Sequence, residues 1–333
     1  MKIVIDNHIP HIHGLIEPYA QVEYLEPSDI TAATVSDADA LVVRTRTRCD
    51  AALLDGSSVR FIGSATIGTD HIDTDYCSRR GIIVRNAPGC NAPAVAQWVF
   101  ATIATWMNRR DITSPKGLTL GVVGVGHIGS IVARWARQLG FNVLLNDPPR
   151  QSSDDTGDEI FYPLTELQRH CDILTFHTPL TRSGRWPTWH LCDHAFLEKA
   201  NAHLIINAAR GPIVDNHRLL ACGRDYALDC WENEPHISAR LLENALVATP
   251  HIAGYSLEGK QRGTAMMLSA LNEHYGWHIP VPAISAPVTG AADVTLAGIA
   301  ASYDIMADSA RLKSAPGDFE SLRNHYPLRH EYR

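Results

Sequence analysis

Short apolar runs alternate with polar or helical stretches along most of the chain. Four of these runs lie before the first long helical stretch, at 2–6, 40–44, 59–63 and 81–85. Six more follow it, at 118–123, 141–145, 172–176, 202–207, 226–229 and 246–248. Strands that are buried on both faces of a parallel sheet form such continuous runs. Their alternation with helical stretches predicts an α/β fold with doubly wound parallel sheets.

The longest uncharged stretch runs from 86 to 108 and is interrupted by Pro88, Gly89, Asn91, Pro93 and Gln97. These residues argue against a membrane span, and we expect a buried helix over 94–107 instead. Helical composition also marks 130–139 and about 257–275. Residues 280–287 carry three prolines and no charge, which is typical of a linker.

Composition excludes several classes of protein. The chain has 333 residues, of which 45% are hydrophobic and 20% charged, with a net charge of −7. A globular chain of about two domains fits these values, whereas a general nucleic-acid binder needs a basic surface. The seven cysteines form no CxxC pair, and the N-terminus lacks a signal-peptide core. We therefore expect reduced thiols and a cytoplasmic location.

A glycine fingerprint provides the strongest local signal. Gly124, Gly126 and Gly129 form GxGxxG between a predicted strand and a predicted helix, and Asp147 closes the next strand. In this context the glycines allow a tight turn, close approach of a pyrophosphate and helix–strand packing. Asp147 would bind ribose hydroxyls and repel a 2′-phosphate, which favours NAD over NADP, although Arg150 nearby weakens that preference. The alternative is a glycine-rich turn without a ligand.

Three further predicted strands are followed by residues that can transfer a proton or bind a carboxylate. Arg210 follows the run at 202–207, Asp229 ends the run at 226–229 with Glu232 and Glu234 soon after it, and His251 follows the run at 246–248. A histidine can take the hydroxyl proton of an alcohol while hydride leaves, a carboxylate can orient its ring, and an arginine can hold a substrate carboxylate. Taken singly, Arg210 and His251 are also compatible with structural roles.

Nine stretches carry a resemblance to a known family: 61–73, 86–100, 121–129, 147–150, 174–180, 206–216, 228–235, 250–255 and 256–263. The sequence resembles the D-isomer-specific 2-hydroxyacid dehydrogenases, and within them the branch that oxidises 4-phospho-D-erythronate in vitamin B6 synthesis. The resemblance implies that Arg210 binds substrate and assists catalysis, that His251 exchanges the proton, and that Glu234 is the partner of His251.

The resemblance also implies binding residues. The residues implied to contact the cofactor are Gly124, Gly126, His127, Ile128, Gly129, Asp147, Thr178, Ala208, Ala209, Arg210, Asp229 and Gly254. Substrate contacts fall on Thr45, Thr66 and Tyr255, with Arg44 and Arg46 as phosphate ligands. The two arginines are equally compatible with a solvated strand face. His8, His11 and His13 lie close together but lack a recognisable ligand spacing, so we expect no metal.

The implied architecture has two Rossmann-like domains. Residues 1–93 and 256–280 would form a substrate-binding domain, 94–255 an NAD-binding domain, and 281–333 a shortened α+β segment for dimerisation. The expected partners are a small phosphorylated hydroxy acid and a second copy of the chain, without nucleic acid or membrane. Two alternatives remain: an NAD-dependent dehydrogenase of another D-2-hydroxy acid such as 3-phosphoglycerate, and an NADH-sensing corepressor or scaffold.

Overall fold

The computed structural model describes residues 1–153, 156–285 and 293–332. The chain divides into two compact units. The first unit comprises Met1–Asn91 and Ser256–Ala286, and the second comprises Ala92–Tyr255 and Pro287–Arg333. Each unit is therefore built from two separate stretches of sequence.

Eleven strands occur in the described residues. They are β1 (Lys2–Asp6), β2 (Gln21–Leu25), β3 (Ala40–Val43), β4 (Phe61–Ser64), β5 (Ile83–Arg85), β6 (Thr119–Val123), β7 (Asn142–Asn146), β8 (Ile173–Phe176), β9 (Leu204–Asn207), β10 (Asp225–Leu228) and β11 (Val247–Ala248).

Fourteen α-helices accompany these strands in the same described part of the chain. They are α1 (Ala32–Val35), α2 (Ala51–Leu54), α3 (Thr74–Arg79), α4 (Ala92–Arg109), α5 (His127–Leu139), α6 (Pro148–Gln151), α7 (Leu164–His170), α8 (His194–Lys199), α9 (Asn216–Ala221), α10 (Ala239–Asn244), α11 (Leu257–Tyr275), α12 (Leu296–Ser302), α13 (Ile305–Ser314) and α14 (Phe319–Asn324). Three short 3₁₀ helices lie at Pro27–Asp29, Gly211–Ile213 and Pro316–Asp318.

The first unit is a parallel sheet of five strands in the order β2-β1-β3-β4-β5. One of its cores joins Ile3 and Ile5 of β1 to Met267, Leu268 and Leu271 of α11. The hydroxyl of Ser256 caps α11 by accepting from the Gly259 N–H at 2.9 Å. A segment far along the sequence therefore covers a sheet that begins at residue 2.

The second unit is a parallel sheet of six strands in the order β11-β10-β9-β8-β6-β7. Strands β8 and β9 are buried along their whole length, as their continuous apolar sequences predict. The chain adds β7 on one side of β6 and β8 on the other, so the order reverses beside β6. Ligands of doubly wound sheets bind at such a point, outside the carboxyl ends of the strands.

The predicted fold class is confirmed, and two local elements differ from expectation. Strand β2 has no counterpart among the predicted strands, because Gln21 and Glu23 interrupt its apolar pattern at an edge of the sheet. Helix α4 extends beyond the predicted 94–107 at both ends. Pro93 lies in its first turn, where the missing N–H needs no intrahelical partner.

The described residues 293–332 of the C-terminal segment contain the helices α12, α13 and α14 and no strand, whereas a mixture of helix and strand was expected. Its core residues include Ile299, Leu312 and Phe319, which lie in the hydrophobic clusters of the second unit. Part of the expected linker at 280–287 and part of the expected segment at 281–333 lie outside the described residues. Within the described ranges, no helix combines the length and the apolar character that crossing a membrane requires.

Candidate active site

The glycine fingerprint forms a tight turn between β6 and α5. Gly124 has a φ of +88°, and a Cβ there would approach the backbone of His177 and Thr178 to 2.8 Å. A Cβ on Gly129 would lie 1.9 Å from the carbonyl oxygen of Gly124. A Cβ on Gly126 would meet no atom within 4 Å, so this position faces open space. The three positions therefore have the properties that a pyrophosphate-binding turn requires.

Asp147 organises the same turn from the end of β7. One carboxylate oxygen accepts from the Val125 N–H at 2.8 Å, and the other caps α6 by accepting from the Arg150 N–H at 3.0 Å. A carboxylate has further lone pairs that can accept from ribose hydroxyls. The Arg150 guanidinium donates to the Val125 carbonyl at 2.9 Å. His127 and Ile128 begin α5, whose free N–H groups suit a phosphate.

Two buried polar atoms lie where β8 approaches the glycine turn. Thr178 Oγ1 and His177 Nδ1 have no hydrogen-bond partner among the described residues. His177 Nε2 lies 2.9 Å from Thr175 Oγ1, and burial lowers the pKa of His177 to about 3. This ring is therefore uncharged at neutral pH. An unpartnered Thr178 hydroxyl beside the turn fits a residue that hydrogen-bonds a bound dinucleotide.

The carboxyl ends of β10 and β11 bring Glu234 and His251 together. His251 Nδ1 lies 2.8 Å from Glu234 Oε2, and both side chains are partly exposed. The other Glu234 oxygen accepts from the Trp231 N–H at 2.6 Å. Burial alone would raise the pKa of Glu234, but His251, the Trp231 N–H and Arg323 outweigh it, so the pKa lies below its usual range. The result is an ionised carboxylate that orients an imidazole, as a proton-transfer pair requires.

Asp229 fixes the loop that carries His251. Its carboxylate accepts from the N–H groups of Ile252 and Ala253 at 2.7 and 3.0 Å, and from the Thr249 hydroxyl at 2.6 Å. Burial raises the pKa of Asp229, although His251 and these hydrogen bonds oppose the effect. Asp229 is only 1% exposed. In the structure it therefore organises the loop, and the nicotinamide contact that the resemblance implies for it stays a prediction.

Arg210 follows β9, the next strand of the sheet. The Asn207 side chain donates to the carbonyls of Arg210 and Gly211 and accepts from the Ala209 N–H. A Cβ on Gly211 would lie 2.0 Å from the Trp231 carbonyl oxygen, so the loop after β9 packs directly on the loop that carries Glu234. Asn207 was not among the predicted site residues, although its position at a strand end before Ala208 and Ala209 marks a turn-forming residue.

The predicted cofactor residues therefore follow the strands of one sheet. They are Gly124, Gly126, His127, Ile128 and Gly129 after β6, Asp147 after β7, Thr178 after β8, Ala208, Ala209 and Arg210 after β9, Asp229 after β10, and Gly254 in the loop after β11. Parallel strands place these ends at one edge of the sheet. The edge also carries the catalytic candidates.

The predicted substrate residues other than Tyr255 belong to the first unit. Arg44 and Thr45 follow β3 and Thr66 follows β4, and these two strands are neighbours in the sheet. Arg44 Nε lies 3.1 Å from the buried carboxylate of Asp6, while Thr45 and Arg46 are exposed. Thr66 Oγ1 lies 2.8 Å from Ser64 Oγ. Asp6 therefore orients the guanidinium of Arg44, whose role as a phosphate ligand stays a prediction.

A second histidine–carboxylate pair was not predicted from the sequence. His190 Nε2 lies 2.7 Å from Glu232 Oε1, and the second Glu232 oxygen accepts from the Asn216 N–H at 3.0 Å. These bonds tie the loop after β10 to the start of α9. His190, Asp215 and Glu232 form one of two groups of potential metal ligands in the described residues, and Cys230, Glu234 and His251 form the other. Neither group includes the histidines at 8, 11 and 13.

Comparison with known proteins identifies the family. Residues 91–253 match the NAD-binding domain of the D-isomer-specific 2-hydroxyacid dehydrogenases. The erythronate-4-phosphate dehydrogenase of Bacteroides fragilis is 44% identical, covering 99% of this chain and 97% of that protein. The chain belongs to the D-isomer-specific 2-hydroxyacid dehydrogenase family. Enzymes with the same name from Bacteroides thetaiotaomicron and Edwardsiella ictaluri are 43% and 41% identical, covering 99% and 100% of this chain and 97% and 93% of those proteins.

Two solved structures share the fold. The TT0316 protein of Thermus thermophilus superposes with a TM-score of 0.69 at 25% identity, covering 85% of this chain and 100% of that one. D-Lactate dehydrogenase of Aquifex aeolicus, solved with NAD and lactic acid, superposes with a TM-score of 0.68 at 23% identity. The match covers 83% of this chain and 96% of that one. The second unit thus contains the NAD-binding domain of a 2-hydroxyacid dehydrogenase, and NAD is the cofactor that its glycine turn and Asp147 fit.

Proposed function

We propose that this enzyme oxidises the C2 hydroxyl of 4-phospho-D-erythronate to (R)-3-hydroxy-2-oxo-4-phosphooxybutanoate with NAD. The hydrogen bond of 2.8 Å between His251 and Glu234 is the observation that carries the chemistry. The substrate is supported by the erythronate-4-phosphate dehydrogenases that match nearly the whole chain at 41–44% identity.

The proposed proton transfer uses the free side of the His251 ring. Glu234 holds Nδ1, which leaves Nε2 to take the proton of the C2 hydroxyl. The ionised Glu234 then stabilises the imidazolium. Bound NAD supplies the acceptor for the hydride that leaves C2. In the reverse direction, the same imidazolium returns the proton to the carbonyl oxygen.

The proposed role of Arg210 is to bind the substrate carboxylate and polarise the adjacent carbonyl. A guanidinium can do both because its N–H donors lie in one rigid plane. In the first unit, Arg44 and Arg46 would bind the phosphate, with Thr45 and Thr66 on the same sheet edge. Tyr255 would add a hydroxyl contact to the substrate. The cofactor contacts of Ala208, Ala209 and Gly254 belong to the same proposal.

Replacing His251, the proposed base, tests the proposed proton transfer. We expect His251→Gln to lower kcat/KM by at least about 100-fold, the range of general acid–base catalysis, while the Kd for NADH stays within about twofold, since His251 is not among the predicted cofactor ligands. His217→Gln, at an exposed site on α9, is the matched control. Unchanged turnover in His251→Gln would show that another group is the base.

Measuring turnover of a panel of hydroxy acids tests the proposed substrate separately from the proposed proton transfer. We expect kcat/KM to be highest for 4-phospho-D-erythronate, lower for 3-phosphoglycerate and lowest for unphosphorylated D-2-hydroxy acids. A preference for 3-phosphoglycerate would reject the proposed substrate and retain the chemistry. Arg44→Gln should raise KM for phosphorylated acids only, because the first unit would contact the phosphate.

We further propose that the enzyme is a homodimer in the cytoplasm. Met306 and Leu328 of the C-terminal segment are 44% and 39% exposed, which supports an apolar contact there. All seven cysteines are free, which supports a reducing compartment. Light scattering coupled to size-exclusion chromatography should give twice the chain mass of 36.6 kDa, and a monomer at micromolar concentration would reject the dimer.

A further inference from the structure

The C-terminal segment places an arginine on the loop that follows His251. Arg329 Nη1 donates to the carbonyls of Ile252 and Tyr255 at 3.1 and 3.0 Å, and Nη2 donates to the carbonyl of Ala253. The same guanidinium reaches α4, at the Ala94 carbonyl and the Gln97 side chain. All of these residues belong to the second unit.

Arg329 and Asp229 hold opposite sides of this loop. Asp229 accepts from the N–H groups of Ile252 and Ala253, whereas Arg329 donates to the carbonyls of the same two residues. The loop needs such support, because His251 has a φ of +59°, which a residue with a Cβ adopts at an energetic cost. Conformations of this kind persist where the surroundings fix them.

The guanidinium of Arg329 is itself held in place. It lies 4.2 Å from the centre of the Tyr303 ring. The hydroxyls of Tyr303 and Tyr326 both donate to the buried carboxylate of Asp308, at 2.9 and 2.8 Å. Because these contacts arise from α13 and the residues around it, the folded C-terminal segment fixes the position of Arg329.

A second arginine of the segment lies beside the catalytic pair. Arg323 of α14 is hydrogen-bonded to Tyr255 and is close enough to Glu234 for their charges to interact. Its Nε is buried and has no hydrogen-bond partner among the described residues. A partly buried guanidinium next to a predicted substrate residue and a predicted catalytic carboxylate suits a role in the site better than a surface ion pair.

We propose that Arg329 and Arg323 are positioning residues of the active site: Arg329 sets the backbone that presents His251 to Glu234, and Arg323 sets the Tyr255 hydroxyl toward substrate. The inference rests on the proposed function for the role of Tyr255. It gives the C-terminal segment a task within its own chain, in addition to any contact between chains.

One readout of the Arg329 arm of the test does not depend on the substrate. In wild-type enzyme the proton shared by His251 Nδ1 and Glu234 should give a downfield resonance that His251→Gln lacks. We expect Arg329→Gln to shift or broaden this resonance and to lower kcat by about 100-fold, as small displacements in active sites do, with NADH affinity retained. Arg329→Lys should recover part of both. Arg240→Gln, at an exposed arginine of α10, is the control and should change neither.

These readouts separate positioning from simple stabilisation. If Arg329→Gln lowers only the melting temperature and leaves the resonance and kcat as in wild type, the positioning role is wrong. Should Arg329→Gln not fold, Arg329→Lys carries the test, and a wild-type resonance and kcat in that variant would overturn the proposal. If wild-type enzyme fails on 4-phospho-D-erythronate, the proposed substrate is wrong, yet the resonance still tests Arg329.

The Arg323 arm uses a double-mutant cycle. We expect Arg323→Gln and Tyr255→Phe each to raise KM by about tenfold with a smaller effect on kcat, and the double variant to be no worse than either single one, because coupled residues are not additive. Arg323→Lys should restore part of the affinity. Additive effects, or a change in kcat alone, would overturn the role of Arg323.

Discussion

At the scale of single residues, burial and hydrogen bonding set the protonation state of several titratable groups of the site. Glu234 is ionised because His251 and a backbone N–H outweigh its burial. His177 is neutral because burial disfavours its charged form. Burial also raises the pKa of the Cys230 thiol well above its usual value, so this cysteine stays protonated beside Glu234 and His251. At neutral pH, Glu234 is therefore charged, whereas His177 and Cys230 are neutral.

The low pKa of His177 predicts a loss of stability in mild acid. Below pH 6.5 the unfolded chain binds a proton at this histidine that the folded chain does not bind until about pH 3. The free energy of unfolding should therefore fall by about 2 kcal/mol between pH 7 and pH 5 on account of this residue, and stay constant above that range. Urea unfolding of wild type and His177→Gln over this range measures the difference.

The free energy of unfolding of His177→Gln should therefore depend less steeply on pH than that of wild type, whatever its value at pH 7. His217→Gln, which alters an exposed histidine, should follow the wild-type slope. Parallel slopes for wild type and His177→Gln would mean that His177 takes up its proton in the folded state.

At the scale of elements, two positions in the turn between β6 and α5 need glycine for different reasons. Gly129 is required by packing, because a Cβ there overlaps the Gly124 carbonyl. Gly126 is not required by packing within the protein, because a Cβ there meets nothing. We propose that Gly126 is instead required by a ligand that approaches the backbone.

Two alanine variants distinguish these demands. Gly129→Ala should lower the free energy of unfolding by about 1–3 kcal/mol, as overpacking does. Gly126→Ala should keep wild-type stability and weaken NAD binding by about tenfold, equivalent to about 1.4 kcal/mol. Thermal unfolding without ligand and titration with NADH measure the two effects. Wild-type NADH affinity in Gly126→Ala would contradict a pyrophosphate contact at this turn.

Elements also show what sequence alone can predict. Buried strands such as β8 and β9 are continuous apolar runs, so their positions followed from the sequence. The position of strand β2 did not, because β2 lies at the edge of the described sheet, where polar residues are tolerated. The strand-end positions of Arg210, Glu234 and His251 were predictable for the same reason as the buried strands. Arg329 was not, because its partners in the loop after His251 lie more than 70 residues away along the chain.

At the scale of the whole molecule, the candidate site depends on distant segments of the chain. The second unit joins Ala92–Tyr255 to Pro287–Arg333, and the first joins Met1–Asn91 to Ser256–Ala286. Cofactor residues of the proposal lie in the second unit, whereas the proposed phosphate ligands lie in the first. This division predicts that bound cofactor and bound substrate slow hydrogen exchange in different units of the chain.

Hydrogen exchange with NADH bound tests that division. We expect slower exchange in the second unit, at 124–129, 177–178 and 207–211, because bound dinucleotide stabilises the folded state, by about 2.7 kcal/mol at 100 times its Kd. Addition of 4-phospho-D-erythronate should then slow exchange at 44–47 and 64–68 of the first unit. Protection by NADH that is confined to the first unit would contradict the assignment of the cofactor site.

The interleaving of the two units has a consequence for biosynthesis. On the ribosome, the N-terminal sheet emerges long before α11, whose Met267, Leu268 and Leu271 share a core with Ile3 and Ile5. That face of the sheet stays uncovered while the whole six-stranded sheet is being translated, and such exposed apolar surface attracts chaperones or aggregates. Circular permutants that join α11 directly to the first sheet would shorten this delay.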